Sequence, residues 1–264
     1  MSGGDQATEM LSLTRALTIT SAESLSVAME TNGTGFHGYI VELPGAYVRG
    51  PSEVEALSKA PTEAGSYLAW LGQKKSFPKA RIVQSHRCRL MVEDADNEIL
   101  LDDDSRAISQ SDFQHLVELA TYSGLTFTKL YDSARLKDWV DEARIRTTFY
   151  GDNKKTINEI FYHVKRTQYY YLSRTGPSFR EDEAEPFMNI RNYCLETLDG
   201  LFRENGNAKL YGVDDEKWTL KKVLRRFIWH DRIHGKAITR ILEKQRQLRL
   251  IDKYQDPFQF SLLS

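Results

Sequence analysis

Residues 218–242, WTLKKVLRRFIWHDRIHGKAITRIL, decide how the chain is read. Apolar residues recur at Val223, Phe227, Ile238 and Ile241, spaced by three, four or sums of those steps, the period of one helix face. His230 and His234 fall on the same stripe, three and seven residues beyond Phe227. One helical turn separates them, so both imidazoles point the same way. Two histidines at i and i+4 form half of a metal site, and a third ligand has to come from elsewhere.

A chain of 264 residues suffices for one large domain or two ordinary ones. With 36 basic and 37 acidic residues the net charge is −1. Nothing then draws the whole molecule to nucleic acid or to an anionic membrane, and nucleic acid is disfavoured as a partner. The 12 Phe, 13 Tyr and 4 Trp support a folded core over disorder. Cys88 and Cys194 are far apart and lack a partner motif. Neither a disulfide framework nor a cysteine zinc site is expected, and a cytoplasmic location is. No apolar run approaches the roughly 18 residues of a membrane span. The opening MSGGDQATEM lacks the basic-then-apolar order of a secretory signal, so residues 1–14 read as a flexible tail.

Outward from the histidine helix, two periods divide the chain. Before about residue 104 the period is near two. Strands are predicted at 17–20, 24–31 and 36–43, with the turn signal Asn32-Gly33-Thr34-Gly35 joining the last two and Pro44-Gly45 closing the hairpin. A short return strand at 46–49 precedes a helix that Ser52 would cap with Glu55 as its capping-box partner. That helix continues past a disturbance at Pro61. Residues 80–92 read as strand again, and the acidic stretch 94–104 as a turn and linker. The run GYIVELPGAYVRG at 38–50, followed by PSEVEAL, resembles the HicB-like fold, a small antitoxin-type α/β domain, over about residues 15–93. The resemblance implies fold rather than chemistry. HicB antitoxins neutralise an RNA-cleaving partner, but nothing here resembles their usual DNA-binding tail.

After residue 104 the period becomes 3.6. Ser111 is a candidate N-cap for a helix carrying Phe113, Leu116, Val117, Ala120, Phe127 and Leu130. A short connecting helix is expected at 137–145, and long helices at 153–174 and 187–202. With the histidine helix these make four, the content of a bundle. The tail from Arg246 is mixed and is expected to pack across one end.

Of the six histidines, only His163 lies deep in another long predicted helix, with Ile160 and Thr167 at i−3 and i+4. Taken alone, an HxxxH pair arises often by chance, and His163 by itself reads first as an ordinary core or rim histidine. His37, His86 and His115 carry weaker claims. Three neutral imidazoles would suit zinc, nickel or iron and leave positions open for water or substrate. The runs NEIFYHVKRTQYYYL and WTLKKVLRRFIWHDRIHGKAI resemble the DinB-like superfamily of metal-binding four-helix bundles, over about residues 108–245. The resemblance implies His163, His230 and His234 as metal ligands, with thiol-dependent transfer among the family chemistries. Relatives commonly read HExxHxGQI; here Asp231 stands for the Glu and Ala237 for the Gln, so no one relative's substrate carries over.

Asp231 lies about 100° from the ligand direction and reads as a residue supporting the ligands or as a surface residue. Tyr170, in the run Tyr169-Tyr170-Tyr171, is a further candidate to support the site from two turns along. Lys222, Arg225, Arg226, Arg232, Lys236 and Arg240 read as a solvated basic stripe, with binding of an acidic partner or of thiol carboxylates as the alternative. The expectation is thus a two-domain α+β protein: a tail at 1–14, a HicB-like α/β domain and linker at 15–104, and an all-α DinB-like four-helix bundle at 105–264. It would be a divalent-metal enzyme using a low-molecular-weight thiol on a small-molecule substrate, in thiol transfer, isomerisation or hydrolysis. A homodimer is allowed and no membrane partner is expected. The competing reading is a non-enzymatic interaction or regulatory protein, with the α/β domain as partner interface.

Overall fold

The computed structural model describes residues 24–74, 76–77, 79–149, 151–177 and 184–263. The strand expected at 17–20 and the tail at 1–14 lie outside the described residues. The fold is mixed α+β, a sheet first and then four long helices.

Strand β1 (Ser24–Thr31) alternates, sending Leu25, Val27 and Met29 to one face and Ala28 to the other. The turn at 32–35 is held by Asn32, whose Oδ1 accepts the N–H groups of Thr34 and Gly35 at 2.9 and 2.8 Å. It leads to β2 (Phe36–Ile40), which pairs antiparallel with β1 and then with β3 (Tyr47–Gly50). Strand β4 (Lys79–Arg87) runs parallel to β1 on its other side, giving the order β3-β2-β1-β4. Two strands are shorter than expected. β2 ends at Ile40 because the Leu43 N–H turns back onto the Ile40 carbonyl. β4 ends at Arg87, not 92, because its partner β1 stops at Thr31, and the Cys88 N–H makes the last rung to the Thr31 carbonyl.

Ser52 caps α1 (Glu53–Ser58), its Oγ accepting the Glu55 N–H at 3.2 Å. The Glu55 carboxylate does not close a capping box; it takes Lys59 Nζ at 2.8 Å. Pro61 opens a separate helix, α2 (Ala60–Trp70), in whose first turn a missing N–H costs nothing. The first long helix, α3 (Gln110–Ser133), is capped by Ser109 rather than Ser111, in a box with Asp112. The helix expected at 137–145 reduces to one 3₁₀ turn, Glu142–Arg144. Its backbone serves the next helix instead, the Lys137 carbonyl accepting the Asn158 N–H. That helix, α4 (Ile157–Ser173), begins in a Thr156–Glu159 capping box. Then come α5 (Phe187–Asn205) and α6 (Leu220–Gln247), the latter capped by Thr219. Two short ribbons, β5 (Thr147–Thr148) with β6 (Gly151–Asp152) and β7 (Tyr211–Val213) with β8 (Glu216–Trp218), precede α4 and α6. Helices α3 and α4 each pack on both α5 and α6, closing a ring of four. No helix among the described residues is long and apolar enough to cross a membrane.

Helix α6 is covered on nearly every side. Its apolar stripe faces the ring, and its other flank receives the sheet, where Trp229 packs with Tyr39, Tyr47, Ile99 and Leu101. The solvated basic stripe is therefore overturned. Lys222, Arg225, Arg226 and Arg232 are buried, Lys236 is mostly covered, and of the six only Arg240 is exposed. A buried cation needs a partner, and acids from outside the helix supply one to each of four of these five, while Arg226 lies over the rings of Tyr171, Trp218 and Trp229. Lys222 pairs with Glu216, Arg225 with Asp104, and Arg232 and Lys236 both with Glu63 of α2. The acidic stretch 94–104 is thus packed rather than solvated, with Ile99, Leu101 and Asp104 all buried. The chain's tail also packs, Phe258 and Phe260 lying against Gly235 while Ser66 Oγ of α2 donates to the Gln259 carbonyl.

These contacts yield two expectations. Gly45 has φ +86°, and a Cβ there would stand 2.6 Å from Ile228 Cγ2 and 2.7 Å from the Trp229 backbone nitrogen. Gly45→Ala should therefore destabilise the fold by about 2 kcal/mol through strain and overpacking, read as a lower urea midpoint. The second concerns acid. Burial alone would raise the Glu63 carboxyl, but Lys236 and Arg232 outweigh it and hold it below the usual range. A depressed folded-state pKa contributes stability above the unfolded value of about 4.3, and that contribution is lost as pH falls through the folded value. Urea midpoints measured from pH 6 downward should drop below about pH 4.3 in the wild type and drop less in Glu63→Gln.

Candidate metal centre

The buried stripe of α4 contains Ile160, Val164 and Tyr171, and it lies against α6. His163 sits one position off that stripe, at its edge, and its ring reaches the HxxxH pair. Ring centroids stand 4.4 Å apart for His230 and His234, 5.0 Å for His163 and His230, and 4.8 Å for His163 and His234. One nitrogen from each lies within 4.8 Å of the others. Two segments separated by 67 residues (230 − 163) thus converge.

All three rings are neutral at ordinary pH. Burial is the first cause, lowering His163 to about 4 with help from Lys154 and Arg166. Burial and the neighbouring histidines hold His230 well below its usual range, and the same holds for His234, where His163 and Lys154 add to burial. Neutral imidazole is the form that offers a lone pair to a metal. Among the described residues no fourth His, Cys, Asp or Glu joins the group. The histidine–carboxylate pairs there are His86–Glu98 and His115–Glu118, so no acid neutralises the three. The donor set fits a divalent first-row ion such as zinc, with protein filling three positions and leaving at least one open.

The group lines a cleft of about 1500 Å³. Its walls come from both parts of the chain: α4 and α6, the sheet residue Arg49, residues 94–97, the 141–149 region and the tail residues Tyr254 and Phe260. Cations outnumber acids in this lining, with Arg144, Lys154, Arg240 and Lys244 among them. Some are matched locally, Arg146 by Asp94 and Arg246 by Glu243.

Asp231 points elsewhere. It is fully buried, and its carboxylate receives Arg191 Nη1 and Nη2 at 3.0 and 2.9 Å. Tyr170 is 45% exposed and stacks under Arg174, outside the cleft. Tyr171 is the neighbour that meets the site, its ring 5.5 Å from His230. Tyr170 stands seven residues after His163 and inherits its edge position, whereas Tyr171 stands seven after the buried Val164. Trp229 packs against the sheet, donating Nε1–H to Nε2 of the buried His37 at 3.2 Å. The period of α4 could have pointed to Tyr171; no signal in the sequence pointed to the His37–Trp229 bond or to the cleft wall at 94–97.

The fold and site define an α+β protein with a three-histidine cluster lining a cleft whose walls come from both parts of the chain. Neither a family model, a curated protein nor a solved structure matches this chain.

Proposed function

We propose that the protein is a divalent-metal-dependent enzyme whose metal is held by His163, His230 and His234. The single observation that carries this reading is the convergence of three neutral imidazoles on an open cleft, with no fourth His, Cys, Asp or Glu joining them among the described residues. A structural site would be closed by a fourth ligand. A bound divalent ion supplies a Lewis acid, which makes a nucleophile of water or a thiol near neutral pH.

The chain's own groups supply the remainder. Burial keeps the three rings deprotonated, so no proton competes for their lone pairs near neutrality. Tyr171 fixes the His230 face, and the Trp229–His37 bond ties the helix to the sheet. The cationic lining favours a substrate or thiol that carries carboxylates. Together with the DinB-like resemblance, this favours thiol transfer, with isomerisation or hydrolysis as the neighbouring chemistries.

Cobalt-loaded protein tests the open position. Adding a small thiol should produce a thiolate-to-cobalt charge-transfer band in the near ultraviolet. An unchanged cobalt spectrum at saturating thiol, with cobalt still bound, would exclude a thiol-accepting site.

A further inference from the structure

A second set of ligating side chains gathers where β1 and β4 meet the segment that follows them. Glu30 of β1 pairs with His86 of β4 across the parallel ladder. Glu98 arrives from the packed stretch 94–104. One ligating atom from each of the three lies within 4.8 Å of the others. His86 Nε2 stands 3.0 Å from Glu98 Oε1.

Glu30 is the residue that points to a ligand. It is completely buried. Its Oε1 accepts the N–H groups of Glu98 and Ile99 at 2.9 and 3.2 Å. Its Oε2 is sealed from solvent and has no hydrogen bond of normal geometry. The Cys88 thiol, a weak donor, is beside it, and Arg226 and His86 act on it only through their charge. A carboxylate oxygen left unpartnered in the interior costs free energy that a cation would offset.

We infer that Glu30, His86 and Glu98 form a second divalent-cation site, separate from the three-histidine group. Two carboxylates and an imidazole are a donor set for zinc, iron or manganese. Zinc takes such donors at about 2.0–2.2 Å, so the set has to tighten slightly. The two side chains that would move are the ones free to do so, His86 and Glu98 being 38% and 39% exposed. Glu30 is the fixed post.

The position gives the site its role. Glu98 belongs to the stretch whose residues 94–97 wall the cleft and whose Asp104 grips Arg225 of α6. A cation here clips that wall to the sheet, so it supports the cleft without entering it.

The test uses the full chain carrying His230→Ala and His234→Ala, which removes the first site. Zinc titrated into this protein should bind as a single equivalent and raise Tm by about 3–5 °C. Adding His86→Ala or Glu98→Gln, both at half-exposed positions, should abolish the binding and the shift. The inference is overturned if the folded double variant binds no zinc, or if it binds zinc equally well with His86 and Glu98 replaced. Because the first site is already absent, neither result bears on the proposed enzyme.

Discussion

His234→Ala is expected to weaken divalent-metal binding at the three-histidine site by more than about 100-fold. Removing a group that merely supports a metal ligand costs 10- to 100-fold, and removing a ligand outright should cost more. His230 and His163 would remain, held on two helices but unable to close three sides of an ion. The fold should tolerate the change. His234 is only partly buried, lies on a continuous helix, and is replaced by the best helix former. The metal-free variant should therefore unfold within about 1 kcal/mol of the metal-free wild type. Competition against a chromophoric chelator reads the affinity, with Glu98→Gln present in both proteins so that the second proposed site does not contribute. Equal affinity in wild type and variant would remove the metal site and the enzyme with it.

Asp231→Asn is expected to cost about 3–5 kcal/mol of stability, the range for breaking a buried ion pair from one side. Its partner Arg191 is fully buried at the centre of the helical ring. Arg191 Nε donates to Gln168 Oε1 of α4 at 2.6 Å, and Nη1 to the Ala120 carbonyl of α3 at 2.7 Å. The guanidinium projects from α5 and closes on Asp231 of α6, so one cation ties four helices. Asparagine would leave that charge without a counter-ion in a region water does not reach. Urea denaturation reads the loss. Metal bound per folded molecule should stay as in the wild type, because Asp231 points away from the three rings. Replacing both partners with apolar residues of similar volume should recover much of the loss. If Asp231→Asn instead strips metal from a protein of unchanged stability, the carboxylate acts on the metal site and its assignment to Arg191 is incomplete.

His230 and Asp231 stand side by side in the sequence and do opposite work. Helical geometry separates them by about 100°, so a helix packed on nearly every side can serve a cleft with one and a bundle core with the other. The same geometry misled at Tyr170. It shares the face of His163, but that face lies at the edge of the contact between α4 and α6, and two turns on it opens to solvent. Tyr171 takes the inward position. The basic stripe of α6 failed as a surface for a different reason. A charged face signals water only when nothing else covers it, and here Glu63, Asp104 and Glu216 arrive from three other segments to neutralise it.

What the sequence determined by itself is local. Period and capping chemistry set the change from strands to helices, and the i, i+4 spacing aligned His230 with His234, because both depend on neighbours within a turn or a hairpin. The tertiary structure decided which distant groups meet: His163 with that pair, Asp231 with Arg191, and the sheet against the charged flank of α6. These are contacts between segments tens of residues apart, selected by how whole faces pack, and no spacing along the chain encodes them.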